Sequence, residues 1–127
     1  MPRQADAAVL SERRSVLSRA VADAANRLGM GPTDIGQIVG VSQSTASRLV
    51  HGNYRLKEAA KEWELAAHLV RLYRSLFTLL GGDDELARGW LRSANAAFSG
   101  QQPIALIKRV DGLLQVCEYL DAHRARV

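Results

Sequence analysis

The stretch that decides the fold runs from Ile35 to Gly52 and reads IGQIVGVSQSTASRLVHG. Gly36 stands where two short helices would cross, so a very small side chain is needed there, and Gly40 suits the sharp turn between them. Ser42 is a typical N-cap residue for the second helix, and a closing glycine suits its end. This spacing predicts a helix-turn-helix motif.

The apolar and polar side chains of this stretch fall on opposite sides of the predicted motif. The apolar ones, which we expect to form its inner surface, are Ile35, Ile38, Val41, Ala46, Leu49 and Val50. The outer side of the second helix carries hydrogen-bonding side chains and no acid, namely Gln43, Ser44, Thr45, Ser47 and Arg48. Glutamine can bond adenine and arginine can bond guanine in the major groove, so this surface suits DNA.

The order of a small residue, Gly-Val-Ser, Thr-x-Ser-Arg and a closing glycine resembles the Xre/Cro-like helix-turn-helix of bacterial repressors. The resemblance covers about the first half of the chain and implies DNA binding. It implies base contacts for Gln43, Ser44 and Ser47, and phosphate contacts for Thr45, Arg48, Asn53 and Arg55. Phosphate contacts position a protein on DNA, whereas base contacts specify the sequence. The alternative is a three-helix unit that packs or dimerises without touching DNA.

Glycine and proline divide the whole chain into helical blocks, and no stretch shows the sustained apolar and polar alternation of a half-buried strand. The sequence therefore predicts an all-α fold, in which the helix-turn-helix lobe is packed on or linked to a second helical domain. The predicted helices run from Ser15 to Leu28, from Pro32 or Thr33 to about Val39, from Gln43 to about His51, and from Ala59 to Leu80. A short helix to about Arg92, a helical turn at Pro103 and a last helix capped by Asp111 follow.

The second half of the chain carries a pattern of its own, which is similar to the toxin-binding domain of Xre/MbcA/ParS antitoxins. The sequence keeps four parts of that signature: Trp90-Leu91, Asn95, Gly100 and Pro103. It departs from the signature at Ala94 and Ile104, where the family usually has proline and leucine. The same residues suit a purely structural role, because Trp90 would anchor a short helix and Pro103 would begin a helical turn.

The resemblance implies an antitoxin that neutralises a RES-domain toxin, an enzyme that consumes NAD or transfers ADP-ribose from it, by covering the NAD pocket. In such complexes the C-terminus of the antitoxin lies near that pocket. The residues implied for toxin binding are Tyr119, His123, Arg124, Arg126 and Val127. The alternative is that the arginines only complement the helix dipole, as cations near a helix C-terminus do. Removing Asp121 to Val127 would distinguish a role in toxin binding from this structural role.

Composition and charge limit the classes of function that remain. The 127 residues include 17 Lys and Arg against 13 Asp and Glu, and the net charge of +4 permits an anionic partner. The three histidines fall on separate elements and Cys117 has apolar neighbours, so we predict no catalytic residue, no metal, no cofactor and no enzymatic activity. No apolar run approaches the roughly 20 residues of a membrane span, and no signal peptide begins the chain, so we predict a cytoplasmic protein.

We predict three segments: an N-terminal segment 1–14 that can be flexible, a helix-turn-helix DNA-binding domain 15–58, and a helical dimerisation and toxin-binding domain 59–127. A homodimer is expected, because one small motif buries little surface and two half-sites amplify affinity, with Ala59–Leu80 as the dimer core. The predicted function is an antitoxin that also represses its own operon. The alternative is a dedicated transcriptional repressor whose C-terminal lobe only dimerises.

Overall fold

The computed structural model of the protein describes residues 4–125, and side chains from Asp6 onward. Within that range the chain forms seven α-helices and no β-strand, which confirms the all-α class. The helices are α1 (Gln4–Arg27), α2 (Pro32–Val39), α3 (Gln43–Val50), α4 (Lys61–Leu79), α5 (Asp84–Leu91), α6 (Pro103–Leu106) and α7 (Val110–Arg124). Of these described helices, none combines the length and apolar character that crossing a membrane requires.

Helices α2 and α3 form the predicted helix-turn-helix. Gly40 ends α2 in the left-handed region with φ of 81°, and its N–H donates to the Gly36 carbonyl at 2.9 Å. The Ser42 hydroxyl caps α3 by accepting from the Thr45 N–H at 3.1 Å. A Cβ added to Gly36 would lie 2.9 Å from the Val41 carbonyl oxygen, closer than side chains tolerate. The prediction that only a very small residue fits at this crossing is confirmed.

Helix α1 is longer than the sequence pattern predicts, because it begins at Gln4 rather than near Ser15. Residues 4–14 contain alanine, leucine, glutamate and arginine, which are strong helix formers, and neither glycine nor proline. Every side chain from Asp6 to Arg13 is exposed, so no apolar stripe marks this part as helical. The predicted N-terminal segment 1–14 is therefore helical from Gln4 onward.

Helix α4 is the central element of the fold and packs against α7, α1 and α2. Its apolar side is buried inside the chain, with Leu69, Leu72 and Leu76 at most 1% exposed. Because helices of the same chain cover this side, the dimer core at Ala59–Leu80 stays a prediction for the exposed side of α4. Such a broad apolar face needs a second layer, and α7 supplies most of that layer here.

Side chains from the second half of the chain hold the helix-turn-helix lobe in place. Arg88 of α5 and Arg92, the residue directly after α5, donate to carbonyl oxygens of residues 27–29, at 2.7 Å and 3.0 Å respectively. These carbonyls end α1, where arginines commonly satisfy orphan acceptors. Lys108 adds an ion pair of 3.1 Å with Asp34, in the first turn of α2. The two lobes are therefore packed together rather than only linked.

The loop between α5 and α6 has the geometry that its sequence predicts. The Asn95 side chain accepts from the Ala97 N–H at 2.9 Å and caps a short 3-10 turn, Ala96–Phe98. Gly100 adopts φ of 81°, and the buried Pro103 is the first residue of α6. Asp111, predicted to cap the last helix, lies instead in its first turn, because α7 already begins at Val110.

Candidate functional site

The outer side of α3 carries the predicted DNA contacts, and we call it the α3 face: Gln43, Ser44, Thr45, Ser47 and Arg48. Gln43, Ser44 and Arg48 are exposed, while Thr45 and Ser47 are half-buried. On the opposite side of the helix, Ala46 and Leu49 are almost completely buried in the core. The core contacts therefore fix the rotation of α3 about its axis. All five predicted side chains lie on the side of α3 that faces away from the core.

Hydrogen bonds between hydroxyl groups order the first turn of α3. The Ser42 hydroxyl lies 2.9 Å from that of Thr45 and 3.3 Å from that of Ser44. The cap also ties this cluster to the backbone, since Ser42 accepts from the Thr45 N–H. Positioning of this kind lowers the entropy that side chains lose when they bind a ligand. Gln43 makes no contact in this cluster, and its exposed amide is available to a partner.

Arg48 is held at the edge of the α3 face by two neighbours. Its Nη2 donates to Thr45 Oγ1 at 3.3 Å, and its guanidinium carbon lies 5.5 Å from the centre of the Tyr54 ring. The Tyr54 hydroxyl in turn donates to Glu62 at 2.7 Å. Burial, followed by this hydrogen bond, raises the pKa of Tyr54 to about 12. The phenol stays neutral near neutral pH, and its ring supports the arginine.

The two remaining predicted DNA contacts lie at different places. The Asn53 N–H donates to the Arg48 carbonyl at 2.7 Å, so Asn53 lies directly at the C-terminal end of α3. Arg55 instead donates to the Ser11 hydroxyl of α1 at 3.0 Å, and it lines a small pocket together with Arg19. The structure therefore places Asn53 at the C-terminal end of α3 and Arg55 beside α1.

Four aromatic residues from α5, the following loop and α7 lie close together. We call Trp90, Phe98, Tyr119 and His123 the aromatic surface. Tyr119 is its centre: its ring lies 5.0 Å from Phe98, 4.1 Å from His123 and 6.4 Å from Trp90, between ring centres. Phe98 is buried beneath, whereas Trp90, Tyr119 and His123 are half-buried. Three rings thus present edges or faces to solvent on a packed base, as anchors at protein interfaces do.

The predicted toxin-binding residues separate into two groups on α7. Tyr119 and His123 lie together, and His123 Nδ1 is 2.8 Å from the Tyr119 carbonyl oxygen. Arg124 is exposed and lines a groove between α1 and α4. Arg126 and Val127 lie outside the described residues.

Asp121, at the start of the segment whose removal would test the C-terminus, has a structural role. Its carboxylate pairs with Arg71 and accepts from the Ser75 hydroxyl at 3.0 Å. Ser75 is completely buried in α4. A truncation that includes Asp121 would therefore break the contact between α4 and α7, so a test of the C-terminus has to begin after His123.

Two family models cover nearly all of this structure. Residues 7–71 match the antitoxin Xre-like helix-turn-helix domain, and residues 75–126 match the antitoxin Xre/MbcA/ParS C-terminal toxin-binding domain. The chain belongs to the Xre-like antitoxins. No individual curated protein matches it. The two matches meet within α4, the α3 face lies in the first, and the aromatic surface lies in the second. The antitoxin therefore joins a DNA-binding domain to a toxin-binding domain.

The Cys117 thiol of the antitoxin is buried in α7, where it faces α4. Burial raises the pKa of the Cys117 thiol to about 11, so the thiol remains protonated, and it donates to the His68 carbonyl. Among residues 4–125, no three side chains of His, Cys, Asp or Glu are placed to share a metal ion.

Three features of the antitoxin could not be found by sequence reasoning. Arg88 and Arg92 join the lobes across more than 60 positions of sequence, and no local pattern signals such long-range contacts. Tyr54 and Glu62, which support Arg48, lie in a connector and in the next helix. The groove lined by Arg124 has walls from different helices.

Proposed function

We propose that this antitoxin neutralises a RES-domain toxin by covering its NAD pocket, and that it represses its own operon by binding operator DNA. Family membership supports an antitoxin with a DNA-binding domain. The similarity of the Trp90 to Pro103 region to antitoxins of RES-domain toxins supports the toxin class.

The aromatic surface is the observation that carries the toxin-binding half of the proposal. Two of its four residues, Tyr119 and His123, lie on the last helix of the toxin-binding domain, and three of the four are only half-buried. We propose that Tyr119 and His123 anchor the toxin, and that Arg124, Arg126 and Val127 follow them toward the NAD pocket. Arginine side chains are groups that a site built for a charged dinucleotide can hold. A tight aromatic anchor beside charged side chains suits such an inhibitor.

The α3 face is the proposed operator-binding surface. We propose that Gln43, Ser44 and Ser47 contact bases, while Thr45, Arg48, Asn53 and Arg55 contact phosphates. Exposure of the Gln43 amide supports its role, because a bidentate contact to adenine needs both amide atoms. Arg48, fixed between Thr45 and the Tyr54 ring, is suited to a phosphate at a defined position.

A homodimer completes the proposal. One α3 face covers a single half-site, whereas two faces about one helical turn apart read a palindromic operator. Because operator DNA is one of its targets, we expect the antitoxin in the cytoplasm.

Rescue of growth tests this function. We would express the neighbouring RES-domain toxin with the full chain, with Tyr119→Ala, or with a chain ending at His123, which leaves Asp121 in place. We expect rescue by the full chain, its loss with Tyr119→Ala, and reduced rescue with the shortened chain. Gln115→Ala, an exposed change on the same helix, is the matched control and should rescue fully.

The alternative function, a dedicated repressor, predicts a different pattern. The full chain would then bind operator DNA in gel shifts but would not rescue growth from any adjacent toxin. Full rescue by the chain ending at His123 would support the antitoxin function. It would contradict the proposed role of residues 124–127 in the NAD pocket.

A further inference from the structure

A small pocket beside the C-terminal end of α3 is surrounded by basic and hydroxyl side chains. Its volume is about 290 Å³. The lining residues are Ser15, Ser18, Arg19, Leu49, Gly52, Tyr54 and Arg55. Three of them belong to α1, and the other four belong to α3 and the connector after it. Among the described residues, two arginines and two serines line the pocket and no carboxylate does, so the pocket suits an anion.

Both arginines of the pocket keep most of their hydrogen-bond donors. Arg19 Nε donates to the Ser15 carbonyl at 3.4 Å, within α1. Arg55 Nη1 donates to the Ser11 hydroxyl at 3.0 Å. A guanidinium group carries five N–H donors, and in the described chain these bonds occupy one donor of each arginine. The remaining donors are available to an anion in the pocket.

The serines of the pocket belong to a wall that other contacts hold in place. Ser18 is 6% exposed, and its hydroxyl accepts from the Leu56 N–H at 2.9 Å. Because that bond uses a lone pair, the hydroxyl proton of Ser18 remains available to an acceptor. Arg14 donates to the carbonyls of Leu56 and Arg55, at 2.8 Å and 3.3 Å, which ties the connector to α1. The pocket is therefore formed before any ligand binds.

Tyr54 connects the pocket to the α3 face. It lines the pocket, and the centre of its ring lies 5.5 Å from the guanidinium carbon of Arg48. Phosphates follow one another along a DNA strand, one for each nucleotide, so a strand that meets Arg48 has further phosphates close by. The position of the pocket therefore favours a phosphate of the DNA backbone over other anions.

We propose that the pocket binds one phosphate of the DNA backbone. Arg19 and Arg55 share this phosphate, and the hydroxyls of Ser15 and Ser18 donate to its oxygens. Guanidinium groups suit phosphates because they can offer two parallel N–H donors. The contact positions the protein and carries no sequence information. The inference rests on the proposed operator binding, and it extends the interface from α3 to α1.

A salt series of gel shifts with operator and unrelated DNA tests the shared phosphate. The slope of log affinity against log salt counts neutralised phosphates rather than arginines. Arg19→Ala leaves Arg55 on the phosphate, so the slope should decrease by less than about 1. Arg19→Ala combined with Arg55→Ala removes the contact, and the slope should decrease by about 1 for both DNAs. A decrease of about 2 would show two separate phosphates and overturn the proposal.

Two control variants distinguish the loss of this contact from a change in fold. Arg19→Lys keeps a positive charge at the pocket and should retain the slope of the unmodified chain. Arg74→Ala removes an exposed arginine of α4 that lines neither the pocket nor the α3 face, and it should also retain the slope. Circular dichroism checks that each variant folds. Arg55→Gln, which can still donate to Ser11, replaces Arg55→Ala if the latter does not fold.

Calorimetry with adenosine monophosphate distinguishes a DNA phosphate from the phosphate of a free nucleotide. Binding of this nucleotide that Arg19→Ala abolishes, together with an unchanged slope for DNA, would assign the pocket to a free nucleotide and overturn the proposal. A double variant that binds DNA with an unchanged slope would overturn it as well, while the operator function stands. If the unmodified chain binds no DNA, the operator function itself fails, and the role of the pocket fails with it.

Discussion

The α3 face carries polar side chains, whereas the aromatic surface carries rings. On the α3 face, hydroxyl groups and one guanidinium are ordered by hydrogen bonds of 2.9 to 3.3 Å and by the ring of Tyr54. On the aromatic surface, rings 4.1 to 6.4 Å apart rest on a buried phenylalanine. Nucleic-acid affinity falls steeply with salt, whereas burial of apolar rings does not weaken with it. Salt should therefore separate the two activities of this antitoxin.

The largest expected effects come from two glycines at close backbone contacts, one in each domain. A Cβ on Gly112 would overlap the Leu106 carbonyl group, whereas one on Gly36 would only crowd the Val41 carbonyl oxygen at 2.9 Å. We expect Gly112→Ala to lower the free energy of unfolding by about 3 kcal/mol, and Gly36→Ala by about half as much. Urea denaturation followed by circular dichroism measures both.

Gly89 is the control for these substitutions. It lies in α5, and a Cβ there would meet no atom within 4 Å. Gly89→Ala should raise the free energy of unfolding by about 0.5–1 kcal/mol, because alanine favours helix more than glycine does. Equal losses for Gly112→Ala and Gly89→Ala would contradict the close approach of α6 to α7.

The second largest effect concerns the centre of the aromatic surface. Tyr119→Ala removes the ring that contacts the other three, and we expect toxin affinity to fall about 30-fold, or roughly 2 kcal/mol. Operator affinity should stay unchanged, because the α3 face shares no residue with this surface. Calorimetry with an inactive toxin and gel shifts with operator DNA measure the two. A parallel loss in both would show that the surfaces are not independent.

The difference between the two surfaces also explains what the sequence could predict. The helix-turn-helix depends on close neighbours in sequence, such as Gly40, Ser42 and Thr45, so its helices and caps follow from local pattern. The aromatic surface unites Trp90 and Phe98 with Tyr119, and only tertiary packing brings these residues together. The same holds for α4, because apolar periodicity shows that one side of a helix is covered but not whether the same chain or a second copy covers it.

Within the α3 face, Gln43 should control which DNA sequence is bound. Gln43→Ala should reduce the preference for operator over unrelated DNA by about 1–2 kcal/mol, since a lost bidentate base contact costs that much. Binding to unrelated DNA should hardly change. Competition gel shifts at constant salt give the ratio, and an unchanged ratio would remove Gln43 from the base contacts.

Arg48 should have a smaller effect of a different kind. Arg48→Ala should weaken binding to operator and to unrelated DNA alike, and the slope of log affinity against log salt should decrease by about 1, because one phosphate contact is lost. A salt series with both DNAs measures the slope. Arg109→Ala, an exposed arginine on the other domain, should leave it unchanged. A loss confined to operator DNA would make Arg48 a base contact.

The smallest expected effect is a pH dependence of stability that arises beneath the α3 face. The pKa of Tyr54 lies at about 12 in the fold against an ordinary 10.0, so the fold favours the neutral phenol. Its contribution is complete below pH 10 and is lost as the pH rises toward about 12. Tyr54→Phe keeps the ring under Arg48 but cannot ionise. Its stability relative to the unmodified chain should therefore improve across that interval. Urea denaturation at several pH values measures the difference, and a constant difference would mean that burial and the hydrogen bond to Glu62 do not hold the phenol neutral.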